Sequence, residues 1–161
     1  MNGDEHATVT FASQPRDMMM SQPFSVQRLD HVVFRVRDLD ASIAFYHSVL
    51  GCEVVRRRDH LGLVHLRAGA SMIDLISVDG KLGARGGAAA AWEGRNVDHL
   101  CLRVEPFDEP VIAAHLRAHG ITPTKAEINF GAEGDGLSLY FHDLDGNTLE
   151  LKGPSQALPE H

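Results

Sequence analysis

The chain has 161 residues, 43% of them hydrophobic, which is enough to form one compact domain or two small modules around a shared core. Its 15 basic and 22 acidic residues give a formal net charge of -7, which argues against a nucleic-acid or anionic-membrane partner. The chain has only two cysteines and no apolar run near the ~20 residues that span a bilayer, so we expect a soluble cytoplasmic protein.

A regular pattern begins only at Leu29, because residues 1–27 mix small, polar and Met residues without a sustained period. We therefore expect an N-terminal extension outside the fold. The stretch 29–55 then predicts a strand, a helix opened by an aspartate cap, and a second strand. Gly51 stands where the helix should stop.

The same order of elements returns from Val97 onward. A strand is followed by a helix that has Asp108 and Pro110 at its start and Gly120 as its stop. Aligning the two stretches puts His31 opposite His99, and also matches their flanking residues. The sequence therefore predicts an internal repeat.

Each half continues with short strands, and the last of them carries an acidic residue between apolar neighbours. This residue is Asp74 in the first half and Glu150 in the second. Each module should therefore contain one strand, one helix and three further strands. The sequence thus predicts an extension 1–27, a single domain 28–153 and a tail 154–161. Within the domain, module one covers 28–78, a Gly- and Ala-rich linker covers 79–96, and module two covers 97–153.

The alternation of side chains across a strand separates an apolar face from a polar one in both modules. His99, Cys101 and Arg103 share one face, and His31 and Arg35 share the equivalent face in the first module. The apolar faces should cover the helices. The repeated histidine favours a cavity wall over a wet surface for the polar faces, and Cys101 is expected to be a small buried residue or a thiol near a metal.

Two imidazoles with one or two carboxylates form a ligand set for a divalent ion such as Zn, Ni, Co, Fe or Mn. His31, His99 and Glu150 are the primary candidates, with Asp74 as a fourth. A lone histidine would more simply be an ordinary strand residue, but the duplication favours a metal site. His65 is a candidate for a substrate contact or for a contact to a ligand.

Two segments near opposite ends of the region 29–153 resemble a known family. LDHVVFRVRDLDASIAFYHSVLG is similar to the opening of a glyoxalase and bleomycin-resistance module, and YFHDLDGNTLELKG is similar to its closing strand pair, with leucine in place of the usual proline. The chain thus resembles the vicinal oxygen chelate superfamily. The resemblance implies an α+β fold of paired β-α-β-β-β modules that form an incomplete barrel around one metal ion.

The resemblance also matches four positions to metal ligands, namely His31, Asp74, His99 and Glu150. Glyoxalase I carries a longer glutamate at the position of Asp74. Ligation by Asp74 through water, or no ligation by it, is therefore an alternative to a direct bond. Related folds often assemble their sites from two chains, which implies a homodimer.

A glyoxalase I-like lyase or isomerase is the leading functional hypothesis. In that chemistry a metal holds both oxygens of a glutathione thiohemiacetal while a carboxylate moves a proton between adjacent carbons. Glu150 would be the base, and Arg35 and Arg103 would attract an anionic small-molecule substrate.

Two further functions stay open. An extradiol-type dioxygenase needs Fe(II) held by two histidines and one carboxylate, which His31, His99 and Glu150 would provide without Asp74. Its substrate-side helpers would have to come from residues such as Tyr140 and His65. A binding or resistance protein would use the same cavity without catalysis, although such relatives commonly lack the ligands.

Overall fold

The computed structural model describes residues 23–156, so most of the predicted N-terminal extension, and residues 157–161 of the tail, lie outside the described part. Its regular elements follow the predicted order. They are β1 (His31–Val36), α1 (Leu39–Leu50), β2 (Glu53–Arg58), β3 (Leu63–Ala68), β4 (Ser71–Ser77), β5 (His99–Arg103), α2 (Glu109–Ala118), β6 (Glu127–Gly131), β7 (Gly134–His142) and β8 (Thr148–Lys152), with short 3-10 segments at Asp59–Leu61 and Gly83–Gly86.

Local capping explains where both helices begin and end. The Asp38 carboxylate accepts a hydrogen bond from the Ala41 amide at 2.9 Å, and Gly51 ends α1 with a φ of 67°. Asp108 caps α2 in the same way. The predicted boundaries of both helices are therefore confirmed, with Gly120 in the left-handed region just after α2.

Each module forms one four-stranded sheet. The strand orders are β1-β4-β3-β2 and β5-β8-β7-β6, so the two sheets have equivalent connections. The first and last strands of each module pair in parallel, and the other pairs are antiparallel. The predicted pair of β-α-β-β-β modules is confirmed.

One hydrophobic core joins the two modules. It receives the apolar faces of both sheets together with residues of α1 and α2, including Phe34, Leu75, Leu116, Leu139 and Leu149. Since the apolar faces of both sheets contribute to this core, the polar face of each sheet lies on the side away from it.

Polar contacts reinforce the junction between the modules. The buried Tyr46 hydroxyl donates to the Asp143 carboxylate at 2.8 Å, and Arg37 pairs with Asp145 at 2.9 Å. Both acids belong to the turn between β7 and β8. Across 23–156, neither helix is long and apolar enough to cross a membrane.

Candidate metal centre

The second module brings two of the predicted ligands together. His99 begins β5, Glu150 lies in the adjacent strand β8, and His99 Nε2 is 3.1 Å from Glu150 Oε2. The Asp98 carboxylate is 2.8 Å from His99 Nδ1. When Nδ1–H donates to Asp98, Nε2 is left to face Glu150 as a potential ligand.

The first module repeats part of this arrangement. Asp30 Oδ1 is 2.8 Å from His31 Nδ1, so the first-strand histidine is again held by the aspartate before it. This hydrogen bond is the main cause that raises the pKa of His31, and the charge of Asp74 contributes. The His31 side chain is half exposed, and His31 is the first residue of β1.

The contact of Asp74 differs from that of Glu150, its counterpart in the second module. Its Oδ2 is 2.8 Å from Nδ1 of His65, the residue directly opposite it on β3. Its Oδ1 is buried and has no hydrogen-bond partner among the described residues. A buried carboxylate oxygen is costly to leave unpaired, so this atom indicates a missing partner.

The strand register gives the two acids equivalent surroundings. Asp74 lies opposite Val33 on β1 and His65 on β3, while Glu150 lies opposite Cys101 on β5 and Tyr140 on β7. In each module the histidine stands two residues before the residue that faces the acid. His65 and Tyr140 therefore occupy matching positions.

Tyr140 completes the second-module group. Its ring meets the His99 ring edge to face, with 5.6 Å between centroids. Burial and the neighbouring Glu150 carboxylate raise the pKa of its phenol. Its hydroxyl is therefore protonated at neutral pH and available as a donor.

The four predicted ligands form two separate pairs of positions within one chain. Among the described residues, no cluster of three or more His, Cys, Asp or Glu side chains is close enough to hold a metal ion. His31 and Asp74 lie on adjacent strands of one sheet, and His99 and Glu150 lie on adjacent strands of the other. A single chain presents two half-sites, one with His31 and Asp74 and one with His99 and Glu150.

Both predicted substrate-binding arginines are engaged with protein groups. The Arg35 guanidinium donates to backbone carbonyls of the linker between Gly83 and Ala88. Arg103 pairs with Glu133 at 2.8 Å and Glu105 at 3.0 Å. Their substrate role stays a prediction, and their observed contacts are structural.

Cys101 is exposed, so the expectation of a small buried residue is wrong. Partial desolvation and the adjacent Glu150 raise the pKa of its thiol to about 12. The thiol is therefore protonated at neutral pH, which disfavours nucleophilic chemistry.

Asp30 and Asp98 had no role predicted from the sequence. The repeated Asp-His pair at the start of both first strands was the available signal, because a histidine ligand usually donates its other N–H to a carboxylate or carbonyl. His65 was a predicted candidate for a contact to a ligand, but the sequence did not identify Asp74 as its partner, because that depends on how β3 and β4 align.

The sequence matches the Glyoxalase/Bleomycin resistance protein/Dioxygenase superfamily over residues 28–151. The chain belongs to this superfamily. Human mitochondrial methylmalonyl-CoA epimerase is 27% identical over 146 residues, which cover 87% of this chain and 81% of the epimerase. A virulence protein of Salmonella typhimurium is 29% identical over 128 residues, or 78% of this chain and 83% of that protein.

Solved structures confirm the fold. The crystal structure of the Salmonella virulence protein has a TM-score of 0.66 at 25% identity, covering 82% of this chain and all of that one (100%). A mutant fosfomycin resistance protein of Listeria monocytogenes, crystallised with Mn(II), has a TM-score of 0.61 at 18% identity, over 81% of this chain and 93% of that chain. The relatives in sequence thus include a protein named as an epimerase, and the fold is shared with a protein crystallised with Mn(II).

Proposed function

We propose that this superfamily member is a divalent-metal-dependent lyase or isomerase of the glyoxalase I type, and that it moves a proton between adjacent carbons of a small oxygen-chelating substrate. The contact between His99 and Glu150 carries the proposal. An acid and an imidazole nitrogen 3.1 Å apart can bind one ion together, because each bond to zinc is about 2.0–2.2 Å long.

The residues of the two half-sites fit a divalent metal. His31 and His99 would each offer Nε2, since the aspartate before each of them holds Nδ1. Glu150 and Asp74 would add carboxylate oxygens, and Asp74 Oδ1 is an oxygen that lacks a partner. When bound, the ion would supply Lewis acidity that stabilises negative charge on a substrate oxygen.

Glu150 is the proposed base. Only 4% of its surface is exposed, and one of its oxygens faces His99. It would take a proton from one carbon and return it to the neighbouring carbon. Asp98 would hold the imidazole of His99 in place, and the Tyr140 hydroxyl would be the nearby proton donor.

We propose that a second copy of the chain completes the site. Each chain carries its two half-sites on two separate sheets, so module one of one subunit would meet module two of its partner. A two-fold dimer would then contain two equivalent sites. Val33 is 45% exposed between His31 and Arg35 on the open face of β1, and such a contact would cover it.

The first experiment tests metal binding and assembly of the dimer together. Protein prepared without a histidine tag would be loaded with Ni, Co, Zn, Mn or Fe(II), and its metal content and molar mass measured. We expect about one ion per chain in a dimer. A site that stays empty with every metal would refute the proposed enzymatic function and favour a binding protein.

Loaded protein would then be assayed for proton transfer. Methylglyoxal with glutathione tests the glyoxalase I reaction, and methylmalonyl-CoA in deuterated water tests the epimerisation that the human relative's name describes. No turnover of methylglyoxal with glutathione by any metal form would exclude the glyoxalase I reaction. Oxygen uptake by the Fe(II) form with catechols would instead identify a dioxygenase, because a lyase consumes no oxygen.

A further inference from the structure

We propose that His65 is a positioning residue that fixes Asp74 as a metal ligand through a single oxygen. This inference rests on the proposed metal-dependent function and adds a residue to the same site. The observation behind it is the contact of His65 Nδ1 with Asp74 Oδ2, combined with the unpartnered state of Asp74 Oδ1 among the described residues.

The comparison of the two modules shows why Asp74 needs such support. Glu150 faces Cys101 and reaches back to His99, which stands two residues earlier on the parallel strand. Asp74 faces Val33 in the same register, but its side chain is one methylene shorter. Its contact is with β3, the neighbour of β4 on the side away from β1, where His65 lies.

The contact with His65 distinguishes the two oxygens of Asp74. Oδ2 lies 2.8 Å from Nδ1 of the imidazole, which limits the rotation of the carboxylate. Oδ1 then remains as the oxygen with an unused acceptor site, although Asp74 is only 7% exposed. A carboxylate fixed in this way can bind an ion through one oxygen without losing side-chain freedom at the moment of binding.

His65 is also suited to this role by its environment. Its side chain is 24% exposed, compared with 9% for Asp74, so the imidazole is the more solvent-accessible of the two groups. It is held within β3, between the buried Val64 and Leu66. The imidazole therefore belongs to a rigid element and not to a loop.

The test compares cobalt binding by four forms of the dimer. His65→Phe keeps a ring but removes the donor, His65→Asn keeps an N–H donor near the position of Nδ1, and His60→Phe is a control at an exposed histidine of the same module. We expect His65→Phe to weaken cobalt binding about 10- to 100-fold, and His65→Asn to restore most of the affinity. His60→Phe should bind as the wild type does.

X-ray absorption of the wild-type cobalt or zinc form gives a second measurement that does not depend on the folding of any variant. The proposal predicts two imidazole nitrogens on the ion, from His31 and His99. A third imidazole would mean that His65 binds the metal itself and would overturn the positioning role. Equal affinity of His65→Phe and wild type would overturn it as well, whereas a wild-type protein that binds no metal would instead refute the proposed function.

Discussion

The variants His31→Ala and His99→Ala, each of which should lose the metal site on its own, should restore a metal site when they share a dimer. His31→Ala damages the half-site of module one, and His99→Ala damages that of module two. If each site combines module one of one subunit with module two of its partner, a mixed dimer contains one site with both lesions and one intact site. Neither variant alone can form an intact site.

The expected size of the effect follows from this geometry. Random pairing of equal amounts makes about half of the dimers mixed, and one of their two sites is intact, so the mixture should recover about one quarter of wild-type metal sites. Dimers purified through two different affinity tags should recover about one half. The variants would be coexpressed, desalted at a free cobalt concentration that fills only wild-type sites, and analysed for metal.

A site built within one chain would give a different result. Each subunit of the mixed dimer would keep its own lesion, and metal content would equal that of the single variants. That outcome would refute the assembly of the site from two chains. A mixture of His31→Ala with His31→Phe is the matched control, because it leaves every module one damaged.

Three other predictions concern residues that orient or stabilise the site. Asp98→Ala should weaken metal binding about 10- to 100-fold, measured by calorimetry, because the imidazole of His99 loses the contact that orients it. Tyr46→Phe should lower the free energy of unfolding in urea by about 1–3 kcal/mol, because the buried Asp143 loses a donor. Burial raises the pKa of Tyr46, so its contribution should be complete below about pH 10 and decline as the pH rises above that value. Arg35→Ala should lower the same free energy by about 1–2 kcal/mol, because the linker carbonyls lose their donor.

Each of these predictions has a control and a contrary result. Asp40→Ala removes an exposed aspartate outside the site, and metal affinity equal in Asp98→Ala and wild type would show that Asp98 does not orient His99. A stability difference between Tyr46→Phe and wild type that stays constant up to about pH 11 would contradict the role of the phenol proton. Arg35→Lys keeps the charge without the planar donor group, and an unchanged melting temperature of Arg35→Ala would mean that the linker needs no support.

The sequence determined the features that depend on local chemistry. Asp38, Gly51 and Asp108 set the helix ends because capping involves only neighbouring residues. Alternation along each strand separated the polar face from the apolar one. The repeat identified His31 and His99 as equivalent, and the resemblance to the superfamily predicted the paired modules that the structure contains.

Only the tertiary structure decided where the polar faces point and which side chains meet on them. The apolar faces of both sheets share one core, so both half-sites lie on the faces away from it, and no local pattern contains that information. The contact of Asp74 with His65 depends on the register between two strands. The hydrogen bond from Arg35 to a linker carbonyl depends on where the linker, which is distant in sequence, folds against β1. Long-range packing therefore places the four candidate ligands in two pairs. We propose that a second copy of the chain brings the two pairs together into one site.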